Sequence, residues 1–214
     1  MPPGHLSNLV VHINAGTVAL ALGVTILLRA KGTDSHRRLG RVFSWLTLIV
    51  CLSATFGLLV FRFMPLFAVL TLLVIYQLGG GWRAGRTRAA GPALVDALWT
   101  IAAITGSIVL VVILLREPEG LSTVVASTLG ALGFVIGYDV IRWTFPQRWH
   151  RIAWRYEHSY KMIAATSGML SALMGNVVRV GRPWSQLWPV PLGFIVIFFF
   201  FYQLYREDAA AAPV

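Results

Sequence analysis

Runs of about twenty mostly apolar residues recur along this chain, broken by charge, glycine or proline, and that is the length an α-helix needs to cross a bilayer core. Seven such runs predict seven membrane helices: Asn8 to Leu28, Leu39 to Val60, Pro65 to Leu78, Pro92 to Leu115, Ser122 to Ile141, Ser159 to Val178 and Trp188 to Tyr205. The third run is the shortest. It ends in Gly79-Gly80-Gly81, so it could be tilted or cross only in part. No basic segment precedes the first run and no small-residue cleavage signal follows it, which predicts a retained helix and not a cleaved leader.

Composition strengthens this picture. With 57% hydrophobic and 12% charged residues and a mean hydropathy of +0.73, too little polar surface remains for a water-soluble globule. Because the apolar content runs the whole length, we expect a single integral membrane domain over residues 1–214. The fold class expected is all-α, a polytopic transmembrane bundle of about seven helices. Cys51 is the only cysteine. An intrachain disulfide and multi-cysteine metal clusters are therefore excluded, and Cys51 reads as a packed core thiol.

A net charge of +10 would suggest nucleic acid in a soluble protein, but here the basic residues sit in short connections where membrane topology explains them. Alternate connections place Arg29, Lys31, Arg37, Arg38, Arg41, Arg83, Arg86, Arg88, Arg142, Arg148, Arg151, Arg155, Lys161 and Arg206 on one side. The other side holds only Arg62, Arg116, Arg179 and Arg182. That asymmetry predicts the N-terminus outside and the C-terminus in the cytoplasm, in the bacterial inner membrane. Trp143, Trp149, Trp154, Trp184 and Trp188 fall at interfaces as anchors. Small residues recur every four positions at Ala15, Ala19 and Gly23, at Gly133 and Gly137, and at Ala164, Gly168 and Ala172, faces that let helices approach closely.

Ionisable groups inside a membrane are costly and so point to function. His12, His36, Asp96, Asp139 and His158 are the candidates. In the expected orientation the last four share cytoplasmic depth, where His36, His158, Asp96 and Asp139 could gather a divalent metal. The histidines alone could hold a haem iron. His12 faces the other side with Asn14 nearby, and Met169 or Met174 at similar depth could partner it on a haem. Blander readings apply too: Asp34 or Ser35 caps the second helix beside a solvated His36, Asp139 pairs with Arg142 three residues on, and His150 sits solvated in a loop. Asp96 has no basic partner along its own helix and must find one across the bundle or face a cavity. Walker-type loops, H-E-x-x-H and nucleophile elbows are absent, and the last helix has no lysine for a retinal Schiff base.

His12-Ile13-Asn14-Ala15-Gly16 with Gly23, His36-Arg37-Arg38-Leu39-Gly40-Arg41, and His158-Ser159-Tyr160-Lys161-Met162 together resemble an uncharacterised bacterial multi-pass membrane family, domain of unknown function 2306. The first two spans carry most of the likeness. Some relatives in that family have a histidine after the third span, whereas Trp82 to Pro92 here contains none. A fainter resemblance, to b-type transmembrane cytochromes, implies haem b as a cofactor. Two functions are therefore expected to compete. One is a haem- or metal-binding redox protein on His36, His158 and His12; the other is a proton-coupled transporter or small-molecule binder using His12, Asp96 and Asp139. A structural subunit of a membrane complex, or a homo-oligomer, is the third. The lipid bilayer is the one partner expected in every case, nucleic acid is not expected, and no catalytic mechanism is implied.

Overall fold

Every apolar run forms a helix in the computed structural model of the chain, which describes residues 3–117, 120–178, 180–181 and 184–210. We number the long helices α1 (Pro3–Leu28), α2 (Asp34–Val60), α3 (Pro65–Thr87), α4 (Leu94–Leu114), α5 (Thr123–Ile141), α6 (Gln147–Val177) and α7 (Pro189–Ala210). Short 3₁₀ turns at Arg88–Ala90 and Arg142–Thr144 close α3 and α5, and a single helical turn at Trp184–Leu187 leads into α7. Six of the seven are long and apolar enough to cross a membrane. The exception is α6.

α6 and α3 form the centre of the bundle and lie antiparallel. Gly91 faces His150, Gly85 faces His158, Gly81 faces Met162, and Gly168 faces Val74, so residue numbers rise along one helix as they fall along the other. Around this pair, α1 and α2 pack together, α7 lies on α6, and α4 and α5 lie on α3. Burial follows the same plan: 56% of the apolar stretch of α3 is inside the bundle, against 17–22% for the other five candidate spans.

α6 shows why hydropathy alone delimits it poorly. Its first half carries Arg148, Arg151, Arg155, Glu157 and Lys161, so the sequence pattern admits a helix only from Ser159, twelve residues late. Its 31 residues extend about 46 Å, beyond the ~30 Å of a hydrocarbon core. His150, expected in a solvated loop, instead lies buried in the first turn of α6 against Gly91. Gly91 has φ +77, and a side chain there would both strain the backbone and meet the imidazole at 3.0 Å.

The third helix is likewise longer than its apolar run. Gly79, Gly80 and Gly81 do not end it; they lie inside a 23-residue helix. A Cβ at Gly79 would stand 2.7 Å from the Trp99 ring, and one at Gly81 would stand 3.0 Å from both Lys161 Cβ and Met162 Sδ. Bare backbone here lets α4 and α6 come close, which offsets the roughly 1 kcal/mol that each glycine takes from helix propensity.

Other expectations divide. Ala15 and Ala19 are buried, and Gly23 meets Phe43 and Thr166, as the small-residue face of α1 requires. Gly168 in α6 packs on Val74. Gly133 and Gly137 have nothing within 4 Å of an added Cβ, so this face of α5 packs against no other helix among the described residues. Cys51 is a buried free thiol. Trp143, Trp149, Trp184 and Trp188 are exposed, as anchors should be, whereas Trp154 is half-buried with the Arg88 guanidinium 5.7 Å from its ring. Arg179 and Arg182, half of the sparse positive side, lie outside the described residues.

Candidate functional site

Where α3, α4, α5 and α6 meet, six ionised side chains form one buried network. Asp96 sits in the first turn of α4. Its carboxylate takes two hydrogen bonds from Arg83, Nε to Oδ1 and Nη2 to Oδ2, both at 2.7 Å, and a third from the backbone N–H of Ala93 at 2.8 Å. Arg142 Nη2 lies 3.2 Å from the same carboxylate. Arg142 then reaches Glu157 through Nη1 and stands 3.5 Å from Asp139 through Nε. Lys161 donates to Asp139 at 2.6 Å and to Glu157 at 2.8 Å.

Three carboxylates thus face three cations, and the net charge is zero. Arg83 is one-fifth exposed and every other member is nearly inaccessible, with the Lys161 side chain at 1%. At such burial an unpaired charge would be prohibitive, while a balanced set with filled hydrogen-bond positions persists. Tyr76 extends the network inward, donating to Asp139 Oδ2 at 2.6 Å and lying 3.1 Å from the Thr100 hydroxyl. Thr100 is six residues, about 9 Å, along α4 from its start.

Beside the network a cleft of about 10 Å³ is lined by Arg88, Gly91, Arg142, His150, Trp154 and Glu157, room for one water molecule. Arg88 holds a left-handed backbone (φ 51), a conformation that costs a non-glycine residue free energy and recurs at functional sites. Arg142 Nε, which lines this region, is buried without a hydrogen bond.

One helix surface away, His36 and His158 come together. Their rings stand edge to face with centroids 6.4 Å apart. His158 Nδ1 lies 2.8 Å from the Gly81 carbonyl; since a carbonyl only accepts, Nδ1 carries the proton and Nε2 presents a lone pair. Gly85 makes room for this ring, because a Cβ there would stand 2.8 Å from His158 Nδ1. His36 lies in the first turn of α2, capped by Thr33, whose hydroxyl accepts from His36 N–H at 3.1 Å. Thr33 therefore does what was expected of Asp34 or Ser35. His36 Nδ1 is buried and has no hydrogen-bond partner among the described residues.

The five sequence candidates thus fall into three places. Asp96 and Asp139 belong to the ionic network, with Asp96 partnered across the bundle and the Asp139–Arg142 pair present but buried. His36 and His158 meet next to it. His12, on α1, lies beside the far end of α2, its Nδ1 2.9 Å from Ser53 Oγ, and Ser53 is 17 positions, about 26 Å, along α2 from His36. Met169 accepts from Thr47 at 3.5 Å in the core. Among the described residues no three of His, Cys, Asp and Glu are gathered as ligands for one ion.

Sequence places Lys161, Arg142 and Arg83 with the interfacial positive charge and does not single out Glu157; the structure makes three of the fourteen positive-side cations, and Glu157, network members. Met162 enters from sequence only through the His158–Met162 segment of the family resemblance, and Gly85 carries no sequence expectation. The Gly81-x-x-x-Gly85 spacing could have flagged Gly85, as a close-approach pattern continuing past the predicted helix end.

The chain is a multi-pass integral membrane protein: six apolar helices of membrane-spanning length pack with a seventh whose Glu157 and Lys161 are paired inside the bundle. No protein-family model, curated protein or solved structure matches it.

Proposed function

We propose that this chain is a metal-centred protein of the bacterial cytoplasmic membrane, with its N-terminus outside and its C-terminus inside, in which His36 and His158 hold a metal ion or haem iron. The observation that carries this reading is the approach of the two rings. With nitrogen–metal bonds of about 2 Å, two imidazoles sharing one ion have ring centres about 6 Å apart, and these stand at 6.4 Å. A ligand histidine also characteristically donates its second nitrogen to a carbonyl or carboxylate, as His158 does to Gly81. Charge supports the orientation: with Arg83, Arg142 and Lys161 assigned to the interior, 14 − 3 leaves eleven cations against four.

Purified protein is expected to carry a Soret band or about one equivalent of metal, lost in His36→Ala and in His158→Ala. A colourless, metal-free preparation of folded protein ends this reading.

A second reading has its own observation. Glu157, Lys161, Asp139, Tyr76 and Thr100 form an unbroken hydrogen-bonded series from the cleft into the bundle, the arrangement of a proton relay in a transporter. Vesicles containing the protein and a trapped pH dye are expected to dissipate a proton gradient faster than empty ones, and Tyr76→Phe to slow this by at least about tenfold. Equal leak rates with and without protein would remove it.

A further inference from the structure

We infer that His36, His158 and Met162 form a site for a monovalent soft ion, copper(I). This rests on the metal reading above and narrows it to one class of ion.

The donors decide the class. Met162 lies one turn beyond His158 on α6, so the two share a face. Both converge on Gly81: His158 bonds its carbonyl, and Met162 Sδ lies 3.0 Å from where a Cβ would be. Met162 also packs against the core cluster containing Phe43, two turns along α2 from His36. Two imidazoles and a thioether therefore border one junction of α2, α3 and α6. This donor set is neutral, two borderline imidazoles and one soft thioether, and thioether sulfur selects copper(I) over the harder divalent ions.

Charge argues the same way. A divalent ion is normally held with anionic ligands. Glu157, the carboxylate adjacent to His158 in sequence, is engaged by Arg142 and Lys161, and Asp139 by Lys161, Arg142 and Tyr76. The positive charges of Lys31 and Arg37 bear on His36. A singly charged ion meets half the repulsion from them that a doubly charged one does. Neutral donors are also free to bind: His36 Nδ1 has no hydrogen-bond partner among the described residues, and the His158 tautomer leaves Nε2 as a lone pair.

The test uses the full chain in detergent, in a Cys51→Ala background so that the thiol contributes nothing. Copper(I), kept reduced and competed against a chromogenic chelator, is expected to bind at one ion per chain, with silver(I) as a redox-inert probe behaving alike. His36→Ala and His158→Gln should each weaken binding at least tenfold, and Met162→Leu about tenfold. Helicity and elution volume identify variants that remain folded; Met162→Leu, a volume-conserving change, keeps the test decisive if His158→Gln does not fold. Copper(I) affinity unchanged in His36→Ala or Met162→Leu overturns the inference. Histidine-dependent uptake of zinc(II) or haem without copper(I) overturns it too, while leaving the broader metal reading intact. Uptake of none of them overturns both.

Discussion

Lys161→Met is expected to destabilise the protein by about 3–5 kcal/mol, the loss seen when one partner of a buried ion pair is removed. The side chain is 1% exposed, and its ammonium is shared between Asp139 and Glu157. Methionine fills much of the same volume, so the loss comes from charge and not from a cavity. With lysine gone, three carboxylates face two cations in a space water does not reach. Adding Asp139→Asn restores two against two and keeps an acceptor for Tyr76. The double variant should recover more than half of the loss, measured as the unfolding midpoint in detergent against a denaturant series. A silent single variant, or a double variant worse than the sum of its parts, would show that the network does not hold the bundle together.

Gly81→Val should also be damaging, by about 2–3 kcal/mol, through overpacking. The added Cβ would meet Lys161 Cβ, which is tied to the α6 backbone, as well as Met162 Sδ, each at 3.0 Å. Valine's two further methyl groups have nowhere to go unless α3 and α6 separate. Gly133→Ala is the matched control. Nothing lies within 4 Å of its Cβ, so it should be neutral or gain up to about 1 kcal/mol from helix propensity. The same unfolding assay reads both, and equal effects at the two positions would contradict the close α3–α6 contact.

Much of the architecture was legible because lipid imposes a simple rule: a helix exposed to hydrocarbon must be apolar for about twenty residues. α1, α2, α4, α5 and α7 obey it and were placed within a few residues along most of their length. α3 and α6 do not face lipid on all sides, and the rule failed there. Three consecutive glycines look like a helix end when neighbours are unknown; in place, they are the contact surface for Trp99, Lys161 and Met162. The charges of α6 look like loop because pairing across the bundle leaves no local sequence pattern. Asp96 illustrates the limit. The absence of a basic partner on its own helix shows that one must come from elsewhere, but only the fold brings Arg83 and Arg142. The histidine pair was partly visible, since His36 and His158 were assigned the same depth. Their adjacency depends on Gly81 and Gly85, which read as a helix terminus and a loop.

The polarity of α6 also constrains how the protein is made. Glu157 and Lys161, both buried within α6, would disfavour release of this segment into lipid by itself, since each charge near mid-membrane adds about 2.5–3.5 kcal/mol to insertion. The partners of these two, Asp139 on α5 and Arg142 just after it, precede them in the chain, whereas the partners of Arg155, which are Glu207 and Asp208 on α7, follow it. At about 5–20 residues per second, the ninety residues from the end of α3 to the end of α6 take roughly 5–20 s to synthesise. During that interval Arg83 can settle on Asp96, but Asp139 and Arg142 lack Lys161 and Glu157. A chain truncated after Glu157 and before Lys161 would set Asp96, Asp139 and Glu157 against only Arg83 and Arg142, leaving one uncompensated carboxylate inside the membrane.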